Sequence, residues 1–255
     1  MRYYNYLNEK RTSSITEDQF LKLLELNCSD ILNKYKQKQN VILRGYLSSI
    51  KYGYIDPTKS IRKSQYAINN YYTVLLDELL PSWKNMPKRS KSVICTNNAD
   101  KSNRYGQTFV VFPYNGSKIG ICKNEDIWFS FNIHHNLNEL NQFLEFVIQS
   151  KYIKKGWDDK ETLLKIFDAL DEMKKNKESA SIIKFATYFY DPFEKSNHKS
   201  FLSFLSDEMN PSKNGFENLT TKNYALRDYS NEIWIEGECL LLNEDYWFDS
   251  KSNLL

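Results

Sequence analysis

A chain of 255 residues, 41% hydrophobic and 26% charged, is long enough for one large domain or two small ones and can bury a substantial core. Its net charge of +3 counts against a dedicated nonspecific nucleic-acid binder but leaves room for a local basic face. With 8 glycines there is no glycine-rich phosphate loop and no long flexible linker. Cys28, Cys95, Cys122 and Cys239 are scattered, with no pair at metal-ligand spacing, and read as small buried hydrophobes in a reducing compartment. No apolar run is long enough to cross a bilayer and no segment resembles a signal peptide. A cytoplasmic protein with no membrane partner is expected.

In chain order, Thr16-Glu-Asp-Gln19 has the form of a capping box, and Phe20, Leu23, Leu24, Ile31 and Leu32 follow at helical spacing. One helix over residues 17–36 is predicted. Val41 to Tyr46 is a short apolar run, consistent with a buried strand that carries Arg44 and Gly45. Residues 51–64 read as a loop, and Gln65 to Leu80 as a helix stopped by Pro81. A basic loop from Pro81 to Lys91 leads into a strand, Ser92 to Thr96, and then a short helical turn from Asn97 to Tyr105. Strands follow at Gln107–Phe112 and Lys118–Cys122, split by a Pro113-Tyr-Asn-Gly116 turn, with a further candidate at Asp126–Ile133.

The texture then becomes helical. Asn136–Tyr152, Asp158–Lys175 and Ser179–Tyr190 have helical periodicity, and Ser200–Ser206 reads as a shorter helix. The apolar face of Leu137, Leu140, Leu144 and Ile148 is expected to pack against the sheet. Asn210 to Leu226 is a polar stretch that reads as a long loop. The chain closes on a strand from Asn231 to Leu242, in which Glu236 and Glu238, one residue apart, share a face. The sum is a single α+β domain over 1–255 with a helical insertion at about 134–208.

Three signals stand in order: Arg44-Gly45 at the end of a strand, Cys95-Thr96-Asn97 at the end of another, and Glu236-Gly-Glu238 before an apolar run. Over residues 40–122 and 230–242 the chain resembles the arginine-serine-glutamate class of mono-ADP-ribosyltransferases. It departs from that class in reading Cys-Thr-Asn for Ser-Thr-Ser and in a long interval before the glutamates. The resemblance implies a split, twisted β-sheet core with flanking helices. It also implies cleavage of NAD, as substrate, with transfer of ADP-ribose to a macromolecular acceptor, a protein side chain or nucleic acid.

In that reading Arg44, beside Gly45, grips the pyrophosphate, since a guanidinium offers two parallel hydrogen bonds without losing its charge. Arg62 or Lys63 would assist. The serine role falls on Thr96 or Ser92, and Tyr66, Tyr71 or Tyr72 could stack on nicotinamide. Glu238 would hold the ribose 2′-OH and favour the oxocarbenium-like state, and Glu236 would orient the acceptor. No metal is required, and an inhibitory partner protein is compatible with the reading.

Each residue also has a plainer role: a strand-end Arg in solvent, a strand-end Thr, charges guarding an edge strand. His134-His135, with no carboxylate or Cys at ligand spacing, reads as an exposed pair at a helix start rather than a metal site. Two rival functions remain open. One is NAD glycohydrolase; the other is a non-enzymatic module whose aromatics and basic loops bind nucleic acid or a partner protein.

Overall fold

The computed structural model describes residues 12–37, 41–59, 67–149, 159–177, 187–225 and 230–247. It is an α+β structure in which the chain forms two compact units. The first comprises Met1–Lys63, Met86–Ile127 and Phe216–Leu255; the second comprises Ser64–Asn85 and Trp128–Gly215. The segment predicted as the second helix falls in the same unit as the helical block.

The first unit holds one antiparallel sheet of nine strands. In chain order these are β1 (Thr12–Ser14), β2 (Leu43–Tyr46), β3 (Tyr52–Ile55), β4 (Val93–Thr96), β5 (Gln107–Pro113), β6 (Lys118–Ile121), β7 (Glu217–Thr220), β8 (Glu232–Glu236) and β9 (Cys239–Asn243). Their spatial order is β1-β3-β9-β5-β2-β4-β8-β6-β7. β2 meets β5 over four register pairs but β4 at only one, Leu43 opposite Thr96. The two halves of the sheet are joined at that point.

Strands β3 and β7 lie in stretches that read as loops, and β1 precedes the first element read from the sequence. Tyr52-Gly-Tyr-Ile does alternate, but Gly53 and the following Pro57 mask it. A Cβ at Gly53 would lie 2.8 Å from Ile50 Cδ1, so a larger residue there would have to displace that methyl. Residues 126–133 form no strand; Trp128–Ser130 is a single 3-10 turn.

Three helices lie on one face of the larger half-sheet. α1 (Glu17–Asn27) starts at the expected capping box, with the Thr16 hydroxyl accepting from Gln19 N–H and Gln19 Oε1 accepting from Thr16 N–H. It ends at Cys28, and a separate α2 (Ser29–Gln37) follows where one helix was predicted. Asn115, from the β5–β6 turn, occupies the break: its side chain accepts from Asp30 N–H and its own N–H donates to the Asn27 carbonyl.

Phe20 of α1 packs on Tyr52 and Phe112, with ring centroids 5.1 and 5.9 Å away. Tyr35 of α2 meets Phe112 at 5.4 Å. α4 (Ala99–Asn103) joins the same face through Ser102 and Asn103, which bond the Thr108 hydroxyl. Successive residues of a strand point to opposite sides, so Arg44 and Tyr46 belong to the other face, with Phe109.

The second unit is helical. α3 (Ala67–Val74) runs into a π turn, Leu75–Leu79, in which Leu80 N–H bonds Leu75 O ahead of Pro81. α5 (His134–Gln149), α6 (Asp159–Lys175), α7 (Thr187–Lys195) and α8 (Phe201–Glu208) complete it. Leu137, Leu140 and Leu144 are buried as expected, but α5 packs on α7 and α3. A phenylalanine cluster fills the centre: Phe143 on Phe189 at 5.2 Å, Phe167 on Phe201 at 5.2 Å, and Phe193 on Phe201 at 5.3 Å. Lys174 ends that cluster by placing its ammonium on the carbonyls of Phe193, Ser196 and His198, at 2.6, 2.8 and 2.8 Å. No helix among the described residues is long and apolar enough to cross a membrane.

Candidate active site

β2, β4 and β8 are neighbours, and one row of partners crosses all three: Leu43 faces Thr96, and Thr96 faces Glu232. Arg44 is one residue along β2 from that row. Its side chain, 7% exposed, donates through Nη1 to the Ile94 carbonyl of β4 and lies over the Tyr46 ring, with Cζ 4.6 Å from the centroid. A guanidinium held by a carbonyl and an aromatic face has little rotamer freedom left to lose when an anion binds. Gly45 is there for space: a Cβ would lie 2.1 Å from the Ser102 carbonyl oxygen of α4.

Thr96 is buried and its hydroxyl is fixed from both sides, donating to the Asn231 carbonyl at 3.0 Å and accepting from Asn98 N–H at 3.1 Å. Asn97 accepts from Asn231 N–H at 2.7 Å, and the Asn231 amide donates to the Cys122 carbonyl at 2.7 Å. This network clamps the start of β8 onto the end of β4. It fixes where Glu232 begins its strand.

The Glu232 carboxylate is nearly enclosed. Oε1 accepts from Arg89 Nη1 at 2.6 Å and Oε2 from Ile127 N–H at 3.3 Å, the two side chains being 12% and 10% exposed. Arg89 reaches it across the face of β8, with Cζ 5.4 Å from the Trp234 ring centre. The neighbouring residues of the same segment bind the same face. Pro87 O accepts from Trp234 Nε1 at 2.9 Å, and Lys88 N–H donates to Glu236 Oε2 at 3.0 Å. Pro87, Lys88 and Arg89 thus strap the alternate residues Trp234, Glu236 and Glu232.

The paired glutamates predicted at the C-terminal strand are not presented together. Gly237, at φ +155°, breaks the run into β8 and β9, so Glu236 and Glu238 leave in different directions. Glu236 ends β8 opposite Lys118 and is tied to the strap. Ser92 serves the same strap, its hydroxyl donating to the Lys88 carbonyl at 2.7 Å. Glu238 lies on the helix-covered face of the sheet and bonds Tyr54, whose hydroxyl is raised above its ordinary range by burial and then by that carboxylate.

Arg44 and Glu238 therefore do not share a cleft. Arg44 faces Phe109 and Phe109 faces Asn243, five positions beyond Glu238 on the same chain run. An odd step puts the two side chains on opposite sides. Among the other expected site residues, Tyr66, Arg62 and Lys63 lie outside the described residues. Tyr71 and Tyr72 are buried in the helical unit, Tyr72 donating to the Leu137 carbonyl at 3.0 Å. His134 and His135 open α5.

Glu232 and Arg89 were not singled out from the sequence. The signal was available: Glu232-Ile-Trp-Ile-Glu236 alternates without fault, so its first carboxylate shares a face with Trp234. No protein-family model, curated protein or solved structure matches this chain.

Proposed function

We propose that the chain is a mono-ADP-ribosyltransferase that cleaves NAD, with an ADP-ribosyltransferase-like split sheet as its core and Glu232, in place of Glu238, as its catalytic glutamate. One observation carries the reading: Thr96 and Glu232 face one another on adjacent strands at the joint of the sheet, one residue along from Arg44, whose side chain belongs to the opposite face. Thr96 fixes the strand ends around the nicotinamide ribose, while Arg44, on the opposite face, braces β2 against β4 through the Ile94 carbonyl and the Tyr46 ring. Glu232 accepts from the ribose 2′-OH and stabilises positive charge at C1′ as the bond to nicotinamide breaks, its electron pair leaving with nicotinamide. A nucleophile on a protein or nucleic acid then bonds to C1′ and releases its proton to solvent.

Loss of one such charge typically costs ~3–4 kcal/mol of barrier, about 10²–10³-fold in rate. The test is nicotinamide release from labelled NAD by the wild type, Glu232→Gln and Glu238→Gln. A fall of that size for Glu232→Gln, with Glu238→Gln near wild type, supports the assignment; equal rates in wild type and Glu232→Gln overturn it. Label incorporated into protein or RNA identifies transfer, whereas release without incorporation identifies hydrolysis. An inert wild type would return the chain to the non-enzymatic binding class.

A further inference from the structure

We infer that Arg89 is the positioning residue for Glu232, an inference that rests on the NAD reading of that carboxylate. The argument starts from burial. A carboxylate enclosed to the degree of Glu232 is unfavourable as an anion unless a charge or donors compensate, and an isolated one would swing toward water or take up a proton. Arg89 supplies the compensating charge at 2.6 Å on one oxygen, and Ile127 N–H holds the other. Two donors from different elements leave the carboxyl plane no free rotation.

A carboxylate has roughly four lone-pair directions, so two remain for a ribose hydroxyl. Arg89 cannot drift either. It sits in a one-turn 3-10 segment, Arg89–Lys91, whose preceding residues are pinned to Trp234 and Glu236. Its guanidinium also lies over the Trp234 ring. Trp234 in turn has no slack, because it rests on Gly120, where a Cβ would come within 2.1 Å of the indole. Glycine on β6, indole on β8, guanidinium and carboxylate form one rigid stack. Its output is the direction of the Glu232 oxygens.

Such a role moves turnover rather than substrate affinity, since the glutamate works on charge that develops only as the bond breaks. The experiment compares Arg89→Met, Arg89→Lys and Glu232→Gln for nicotinamide release, with melting temperatures measured alongside. Arg89→Met is expected to lower kcat about 10–100-fold with KM changed by less than about threefold. Arg89→Lys restores charge at the single bonded oxygen and is expected to recover a good part of kcat.

Melting temperatures supply a readout independent of turnover: the losses in Arg89→Met and Glu232→Gln should be non-additive in the double variant, as for two halves of one contact. An unchanged kcat in Arg89→Met, or additive melting losses, overturns the positioning role while leaving Glu232 catalytic. A wild type and Glu232→Gln with equal rates overturns the parent reading and this inference with it. If Arg89→Met does not fold, Arg89→Gln decides: wild-type KM with reduced kcat supports the role, and unaltered kinetics overturn it.

Discussion

Gly237→Ala tests the joint between β8 and β9 most directly. Two costs are separable there. The first is conformational: φ of +155° belongs to a region that residues with a Cβ rarely occupy, at about 1–3 kcal/mol. The second is steric, because the new Cβ would lie 2.2 Å from Ser117 Oγ and 2.8 Å from Ser117 Cβ. Ser117 cannot retreat easily, since its N–H bonds the Tyr114 carbonyl and its own carbonyl accepts from Thr221 N–H. Overpacking of this kind costs about 1–3 kcal/mol.

The sum is a loss of roughly 2–6 kcal/mol, read as a fall in the urea midpoint at unchanged slope. Ser117→Gly in the same background should return the steric share and leave the conformational one, a coupling of about 1–3 kcal/mol in a double-mutant cycle. A Gly237→Ala midpoint equivalent to less than about 0.5 kcal/mol of loss would refute the reasoning, and so would a cycle with no coupling.

In the helical unit, Lys174→Met removes the ammonium from above the Phe193 ring and strips the donor from three carbonyls. The expected loss is about 2–3 kcal/mol in denaturant titration. For Asp56, burial alone would raise the carboxyl; the Thr58 hydroxyl and amide and the Lys59 ammonium outweigh it and hold it below the usual range. A depressed carboxylate stabilises the fold above its unfolded value, and that contribution is lost as pH falls through the folded one. The wild type's margin over Asp56→Asn should therefore be flat above about pH 5 and close below about pH 4 in thermal melts. A margin that widens on acidification contradicts the assignment.

How far the residues announced this structure varies with what enforces each element. The α1 capping box, the strands β4, β5 and β6, and α6 are locally determined, by cap chemistry, alternation or period, and all were legible. The break at Cys28 was not, because its cause is Asn115, 87 positions away in sequence and visible only once the β5–β6 turn folds back. β7 and β1 are short edge strands whose residues are half exposed, so tertiary pairing rather than hydrophobicity defines them.

At the site, Arg44 and Thr96 were readable as strand ends. The pairing of Glu236 with Glu238 on one face was misread for a geometric reason. Two carboxylates in i, i+2 relation imply one face only while the strand continues, and Gly237 ends it. Glu232 escaped notice because its significance comes from facing Thr96 and Arg89, relations that a linear pattern does not encode.

The sheet's spatial order also bears on how the protein is made. β8 and β9, the last strands in chain order among the described residues, occupy interior slots, one between β4 and β6 and the other between β3 and β5. Without them the remaining strands fall into three separate pieces, β1-β3, β5-β2-β4 and β6-β7. Synthesis proceeds from the N-terminus, so a nascent chain cannot hold this sheet as one piece until β8 and β9 have emerged. The sheet therefore closes in one late step, when these two strands insert.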